Sequence, residues 1–373
     1  MFKDLTAATE SLDNLFMEGE DGGSQEVTVD LEIQVTEDAV EPIEEAVEAE
    51  EVVDDTTETV EEMLGNIERM EHNRAVVEEF GWSRALAMVI DPTNEIAKFA
   101  PAMPAVESLD VTGSPNSAET VMAVEGFKEA MKSFWEWIKK MARKIWEAIS
   151  SFGRAIINLV TSYDKQAQRL AKALKGASID SKKLGEKSAS LMKKADWDTK
   201  AKAFDSVASS VSSKLGAIRN MQIANAETAT FSPDSFGSLE ALGLKYSDNS
   251  LSVSGDAMKG FAGSEMKVSE SGWGASDFTA AGLTKITSVM KSKLTNAVKE
   301  IEGACKRLEA DASSAEKDED KKEAAKKGAK AKLKALNMAS KIVKQLNTVG
   351  AKLCKAYMKA GYAVYSCKAS KSE

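Results

Sequence analysis

Residues 127–176 read FKEAMKSFWEWIKKMARKIWEAISSFGRAIINLVTSYDKQAQRLAKALKG. Phe127, Met131, Phe134, Ile138, Met141, Ile145, Ile149, Phe152, Ile156, Leu159, Tyr163, Ala167, Leu170 and Leu174 step by three or four positions. Side chains at that interval share one stripe of an α-helix, so the spacing predicts a long amphipathic helix, or two hinged near Gly153, stopped at Gly176. The remaining face carries eleven Lys and Arg, against four acidic residues in the segment.

The same period recurs towards the C-terminus. Helices are expected at 181–194 and 198–221, at 279–310 (Leu283, Ile286, Met290, Leu294, Ile301, Leu308) and at 321–365 (Leu333, Leu336, Ile342, Leu346, Leu353, Tyr357). Between them, 223–280 is Gly/Ser-rich, and LKYSDNSLSVSG reads as a hairpin turning at Asp248-Asn249. The fold class expected is mainly α, a bundle of long amphipathic helices over 126–373 with a small irregular or β insertion. No period of repeat length stands out.

Towards the N-terminus the chemistry reverses. Residues 1–125 hold five basic and thirty-two acidic side chains, a charge of −27, and 126–373 carry +17, which together make the net −10. A dense run of carboxylates with few aromatics buries too little apolar surface to offset ordering entropy, so 1–56 are expected to be disordered. Val60, Met63, Leu64, Ile67 and Met70 mark helix over 57–90, and Pro101, Pro104 and Pro115 mark 91–125 as an extended linker. The chain thus divides into an acidic prosegment and a basic domain.

Several classes of chemistry are not signalled. His72 is the one histidine and lies in the acidic half, which leaves the basic half without a His-dependent triad or zinc motif. There is no P-loop, Asp318-Glu319-Asp320 lacks the spacing of a calcium loop, and Cys305, Cys354 and Cys367 read as small buried hydrophobes. An enzyme, a metal and a cofactor are therefore not expected. MFKDLTAATESLDNL has no signal-peptide pattern, and no apolar run is long enough to span a bilayer, which suggests a protein of a reducing, aqueous compartment.

The basic faces point to a polyanion bound non-specifically and salt-dependently, a nucleic acid being one case. Lys139, Lys140, Arg143, Lys144, Arg154, Lys326, Lys327, Lys330 and Lys334 are the candidate contacts. Trp135, Trp137 and Trp146 beside them suit base stacking, a membrane surface, or helix packing, the last expected for Trp146. Ala-Val-Glu occurs at 46–48, 105–107 and 123–125. The third copy ends at the charge reversal, where Glu125 is either a protease recognition residue in an extended segment or a carboxylate at a helix start.

FGWSRALAMVIDPTNEI at 80–96, PAMPAVESLDVTG at 101–113, AVEG at 123–126 and FKEAMKSFWEWIKKMARKIWEAISSFGRAI at 127–156 resemble the internal head proteins of giant tailed bacteriophages. That resemblance implies a prohead core component whose acidic propeptide is removed by the phage maturation protease. The cut would follow Glu125 within Ala123-Val124-Glu125-Gly126, with Glu107 and Glu48 as alternatives. It also implies residence inside the capsid beside DNA and other prohead core or capsid proteins, passage through the host cytoplasm during assembly, and ejection into the host. Membrane activity of the 127–160 helix and a purely structural assembly role are the competing expectations.

Overall fold

The computed structural model describes residues 25–90, 113–186, 188–224, 239–247, 250–253, 264–316 and 322–369. In chain order the helices are α1 (Gln25–Phe80), α2 (Arg84–Ile90), α3 (Ala118–Lys132), α4 (Phe134–Leu174), α5 (Ser181–Glu186), α6 (Lys194–Asn220), α7 (Ala280–Val289), α8 (Thr295–Ala315) and α9 (Lys322–Tyr365). Four short strands accompany them, β1 (Ser188–Leu191), β2 (Leu244–Ser247), β3 (Ser250–Val253) and β4 (Ser264–Lys267). The mainly α expectation is met.

Helix α4 is the stripe read above. Phe134, Ile138, Met141, Ile145, Ile149, Phe152, Ile156, Leu159, Tyr163, Leu170 and Leu174 are all buried, against α8 on one side and α1 and α9 on others. Helix α9 lies at the centre, touching α1, α4, α6, α7 and α8. A helix touched on so many sides needs a wide apolar face. Here alanines and glycines interleave with Leu333, Leu336, Ile342, Val343, Leu346 and Leu353, which lets neighbouring backbones approach.

The hinge expected at Gly153 is not there. Helix α4 runs straight through, and the break falls at Ser133, between α3 and α4. Gly153 instead marks a close approach: a Cβ built on it would stand 2.8 Å from Cγ1 of Val298 on α8. The C-terminal end is as expected, with Gly176 left-handed at φ 68 just beyond the helix. The long helix expected over 279–310 is α7 and α8 joined through a single π turn, Met290–Leu294. The helix expected over 181–194 stops at Glu186, and strand β1 follows, pairing antiparallel with β4.

Strands β2 and β3 pair with Ser247 opposite Ser250, the register of a two-residue hairpin, although its turn residues Asp248 and Asn249 lie outside the described residues. An aromatic cluster ties the irregular insertion to the bundle. Trp273 stacks on Phe278 at 5.3 Å and meets Tyr357 of α9 edge-on at 5.8 Å. The polar tips are satisfied within it: Trp273 Nε1 donates to Met192 O (2.8 Å), Trp197 Nε1 to Leu353 O (2.9 Å) and Tyr357 OH to Asp277 O (2.9 Å). Burial there pushes the Tyr357 phenol up to about 12. Cys305, Cys354 and Cys367 are buried free thiols, as read.

Two stretches of the acidic half depart from expectation. Residues 42–56, expected to be disordered, belong to the packed part of α1, with Ala46, Ala49 and Val53 in the main core. The sequence understates this stretch because its stripe is built from alanine, valine and threonine, small side chains that score weakly yet fit a close helix contact. Residues 118–125, expected to be extended, are the first half of α3. Residues 91–112 of that linker lie outside the described residues, as do 1–24 and Asp318-Glu319-Asp320.

Candidate functional site

Helix α1 presents Ala46, Ala49, Val53, Thr57, Val60, Leu64, Ile67 and Met70 at steps of three or four that average close to three and a half, all buried. That is the heptad seam of helices packed nearly antiparallel or parallel. Val60 and Ile67 have no exposed surface, and Val53, Leu64 and Met70 have 4% or less. Burying a side chain of that size is worth about 1.5–3 kcal/mol, so these five dominate the adhesion of α1 to the bundle.

Beside the seam runs a ladder of opposite charges between α1 and α9. Lys344 Nζ lies 2.6 Å from both carboxylate oxygens of Asp54, and Lys341 Nζ 2.7 Å from Glu61 Oε1. Lys334 pairs with Glu68, and Lys330 with Glu71. As the numbers on α9 fall, those on α1 rise, so the two helices run antiparallel. Three of the four lysine side chains are well covered (12% exposed at Lys344, 13% at Lys330, 17% at Lys341) and Lys334 is 51% exposed, whereas Asp54 and Glu61 are 48% and 41% exposed. The ion pairs therefore open on solvent at the rim of the groove, and each is worth roughly 0.2–1 kcal/mol.

Neutral groups continue the ladder. Asn337 Nδ2 donates to Thr57 O at 3.2 Å in the buried seam. At the far end Asn347 Nδ2 and Thr348 Oγ1 both donate to Glu50 Oε1 at 3.1 Å. Burial raises the Glu50 carboxyl above its usual range, and the bonds from Asn347 and the nearby Lys344 only partly oppose it. Asn158 of α4 donates to Glu45 at 2.7 Å.

A second, smaller core surrounds the Ala-Val-Glu-Gly stretch. Val77, Trp82, Ala87, Ala123 and Phe127 pack together from α1, α2, α3 and the turn between the first two. Gly81 ends α1 in the left-handed region (φ 81), and a Cβ there would lie 2.4 Å from the backbone of Ser114. Thr120 Oγ1 accepts from Trp82 N (2.7 Å) and donates to Ser114 O (2.7 Å), tying the two ends of the linker to each other. Ala123 has no exposed surface, Val124 is half-buried and Glu125 is exposed, its Oε1 2.6 Å from Lys128 Nζ. Residues 123–126 are thus one turn inside a helix. Glu48 is exposed on α1, and Glu107 lies outside the described residues.

The nine candidate cations divide between two faces. On α4, Lys139 pairs with Glu136 and with Glu316 just past the end of α8 (3.1 Å), Arg143 pairs with Glu309, and Lys140 and Arg154 are exposed with Lys144 half-buried. On α9, Lys330 and Lys334 sit in the α1 ladder, Lys326 Nζ stands 6.0 Å from the ring centroid of Phe134, and Lys327 is exposed. Lys341, Lys344 and their partners are not singled out by the sequence: Lys341 and Lys344 are three residues apart, whereas Glu61 and Asp54 are seven apart, so no shared spacing marks them.

The tryptophans correct another expectation. Trp135 and Trp137 are 4% and 8% exposed, so neither is free to stack on a base or lie on a bilayer. Trp146 is half-buried with Lys306 Nζ 5.0 Å over its ring, in keeping with helix packing. The apolar stripe of α4 is internal, and among the described residues no helix is long and apolar enough to cross a membrane. Nor, among them, does any group of His, Cys, Asp and Glu have the arrangement of a metal site.

No curated protein and no solved structure matches the chain. A family model does: that of the phiKZ-like phage internal head proteins, over residues 28–263, from the acidic helix through the β2–β3 hairpin. With most of its length matched, including the helix that carries the acidic ladder, the chain belongs to the phiKZ-like phage internal head proteins, structural components of the capsid interior.

Proposed function

We propose that this internal head protein is made as a precursor in which the acidic segment masks the basic bundle, and that cutting after Glu125 prepares the bundle for packaged DNA. The observation that carries the reading is the ladder of Asp54, Glu61, Glu68 and Glu71 on Lys344, Lys341, Lys334 and Lys330. These carboxylates hold the positions that phosphates would otherwise occupy, at the high effective concentration of a tethered group. Once the tether is cut, DNA phosphates compete with them on bimolecular terms, and binding follows counterion release rather than sequence. Lys139, Lys140, Arg143, Lys144, Arg154, Lys326 and Lys327 extend the contact surface over α4 and the start of α9. The processed bundle then travels with the DNA and enters the host on ejection.

The phage maturation protease is the partner this requires, with other prohead core or capsid proteins positioning the precursor. A protease cleft takes an extended strand, so α3 opens locally before Ala123-Val124-Glu125-Gly126 can be bound. The small core of Val77, Trp82, Ala87 and Phe127 sets the cost of that opening. Intact mass and N-terminal sequencing of the protein from finished particles test the reading. A chain beginning at Gly126 is expected, a chain beginning at Ser108 or Ala49 moves the cut to Glu107 or Glu48, and a chain beginning at Met1 overturns precursor processing.

A further inference from the structure

We infer that the groove between α4 and α9 is a receptor site for an acidic amphipathic helix, and that it keeps α1 bound as a separate chain after the connection is cut. The role of this retention in the particle rests on the processing proposed above; the affinity of the groove does not.

The seam and ladder contacts that seat α1 on α4 and α9 lie between Glu45 and Glu71, well before the linker and Glu125. Cutting there removes none of them. For the seam and the ladder it only changes an intramolecular contact into a bimolecular one, while the small core, with Ala123 and Phe127 on either side of the cut, is divided. The apolar half of the contact, Val53, Val60, Leu64, Ile67 and Met70, is buried as deeply as the centre of the bundle. Phosphates can replace the carboxylates of the ladder, but they offer nothing to this seam. The register is also fixed from both ends, by Glu50 on Asn347 and Thr348 and by Glu71 on Lys330, with Asn337 holding the Thr57 carbonyl between them. A helix held by a dry seam, a charge ladder and a buried amide has the features of a bound ligand rather than of a tethered cover. Cleavage alone therefore leaves the lysine row covered, and exposure requires a second event that unseats α1.

The test uses the full chain with a specific protease site inserted among residues 91–112, cut in solution and passed over a sizing column. The two pieces are expected to elute together at about 0.15 M NaCl, and still as a weaker complex at higher salt. Leu64→Ala combined with Ile67→Ala, which empties the seam, should separate them after cutting. Ile67→Val, a milder change, should weaken the cut complex by about 2–10-fold. Thr120→Ala, which loosens only the small core, should leave them together. Separation of the unmutated pieces at about 0.15 M NaCl overturns the inference, as does a Thr120→Ala complex that falls apart while the Leu64/Ile67 variant holds. Particle protein that begins at Met1 would end the processing proposal yet leave this result standing.

Discussion

Removing the ladder's negative charge while keeping its shape tests the mask directly. In Asp54→Asn/Glu61→Gln/Glu68→Gln/Glu71→Gln the seam of α1 is untouched, but four lysines lose their counter-charges. Because the acidic partners are 34–51% exposed, the ammonium groups sit at the groove rim and can swing outward on their stems. Each lysine that takes up a phosphate steepens the dependence of log K on log salt by about 0.9, so four steepen it by about 3.6. Between about 50 and 200 mM salt the variant should lose about 150-fold more affinity for duplex DNA than the unaltered chain, from a tighter start. Fluorescence anisotropy of a labelled duplex over that range reads both quantities. The control is Glu48→Gln/Glu51→Gln/Glu58→Gln/Glu62→Gln, the same change of net charge at exposed positions of α1 outside the ladder. Coincident slopes for the two variants would refute the mask, since only global charge would then matter.

Three further outcomes are expected. Gly153→Ala places a methyl 2.8 Å from Val298 Cγ1; overpacking of about 1–3 kcal/mol outweighs the roughly 1 kcal/mol of helix propensity gained, and Val298→Ala in the same chain should restore the melting temperature. Phe127→Ala weakens the small core around α3, and an opening made easier by about 2 kcal/mol should speed cutting at Glu125 by a glutamyl endopeptidase about 30-fold; an unchanged rate would mean that this core does not gate the site. Glu50→Gln keeps an acceptor for Asn347 and Thr348 but removes a buried charge. The folded-state carboxyl is raised, so its ionised form is the one that burial penalises. The variant should therefore melt higher at neutral pH, with the difference closing as pH falls through that raised value and Glu50 itself becomes neutral, and equal melting at neutral pH would refute the assignment.

Much of the bundle was legible because helix period is a local property. Leu, Ile, Phe and Met at steps of three and four gave α4, α8 and α9, glycine gave the end at Gly176, and Asp248-Asn249 gave the register of β2 and β3. Gly153 misled because glycine signals both a hinge and a close approach, and only the position of Val298 on another helix distinguishes them. The nine cations were recognisable as a basic surface, but their partners were not. Glu71 and Lys330 are remote in sequence, as are Asp54 and Lys344, and nothing in either segment alone specifies that they meet.

The sequence by itself determined that the chain is helical and that it is acidic up to Glu125 and basic after. Period and charge are carried residue by residue, so they need no fold to be read. Only the tertiary structure decided that the acidic half is an integral helix of the bundle and that Ala123-Val124-Glu125-Gly126 lies inside α3. An alanine-rich stripe becomes a seam, and a carboxylate becomes half of an ion pair, only when a complementary face arrives at the right distance.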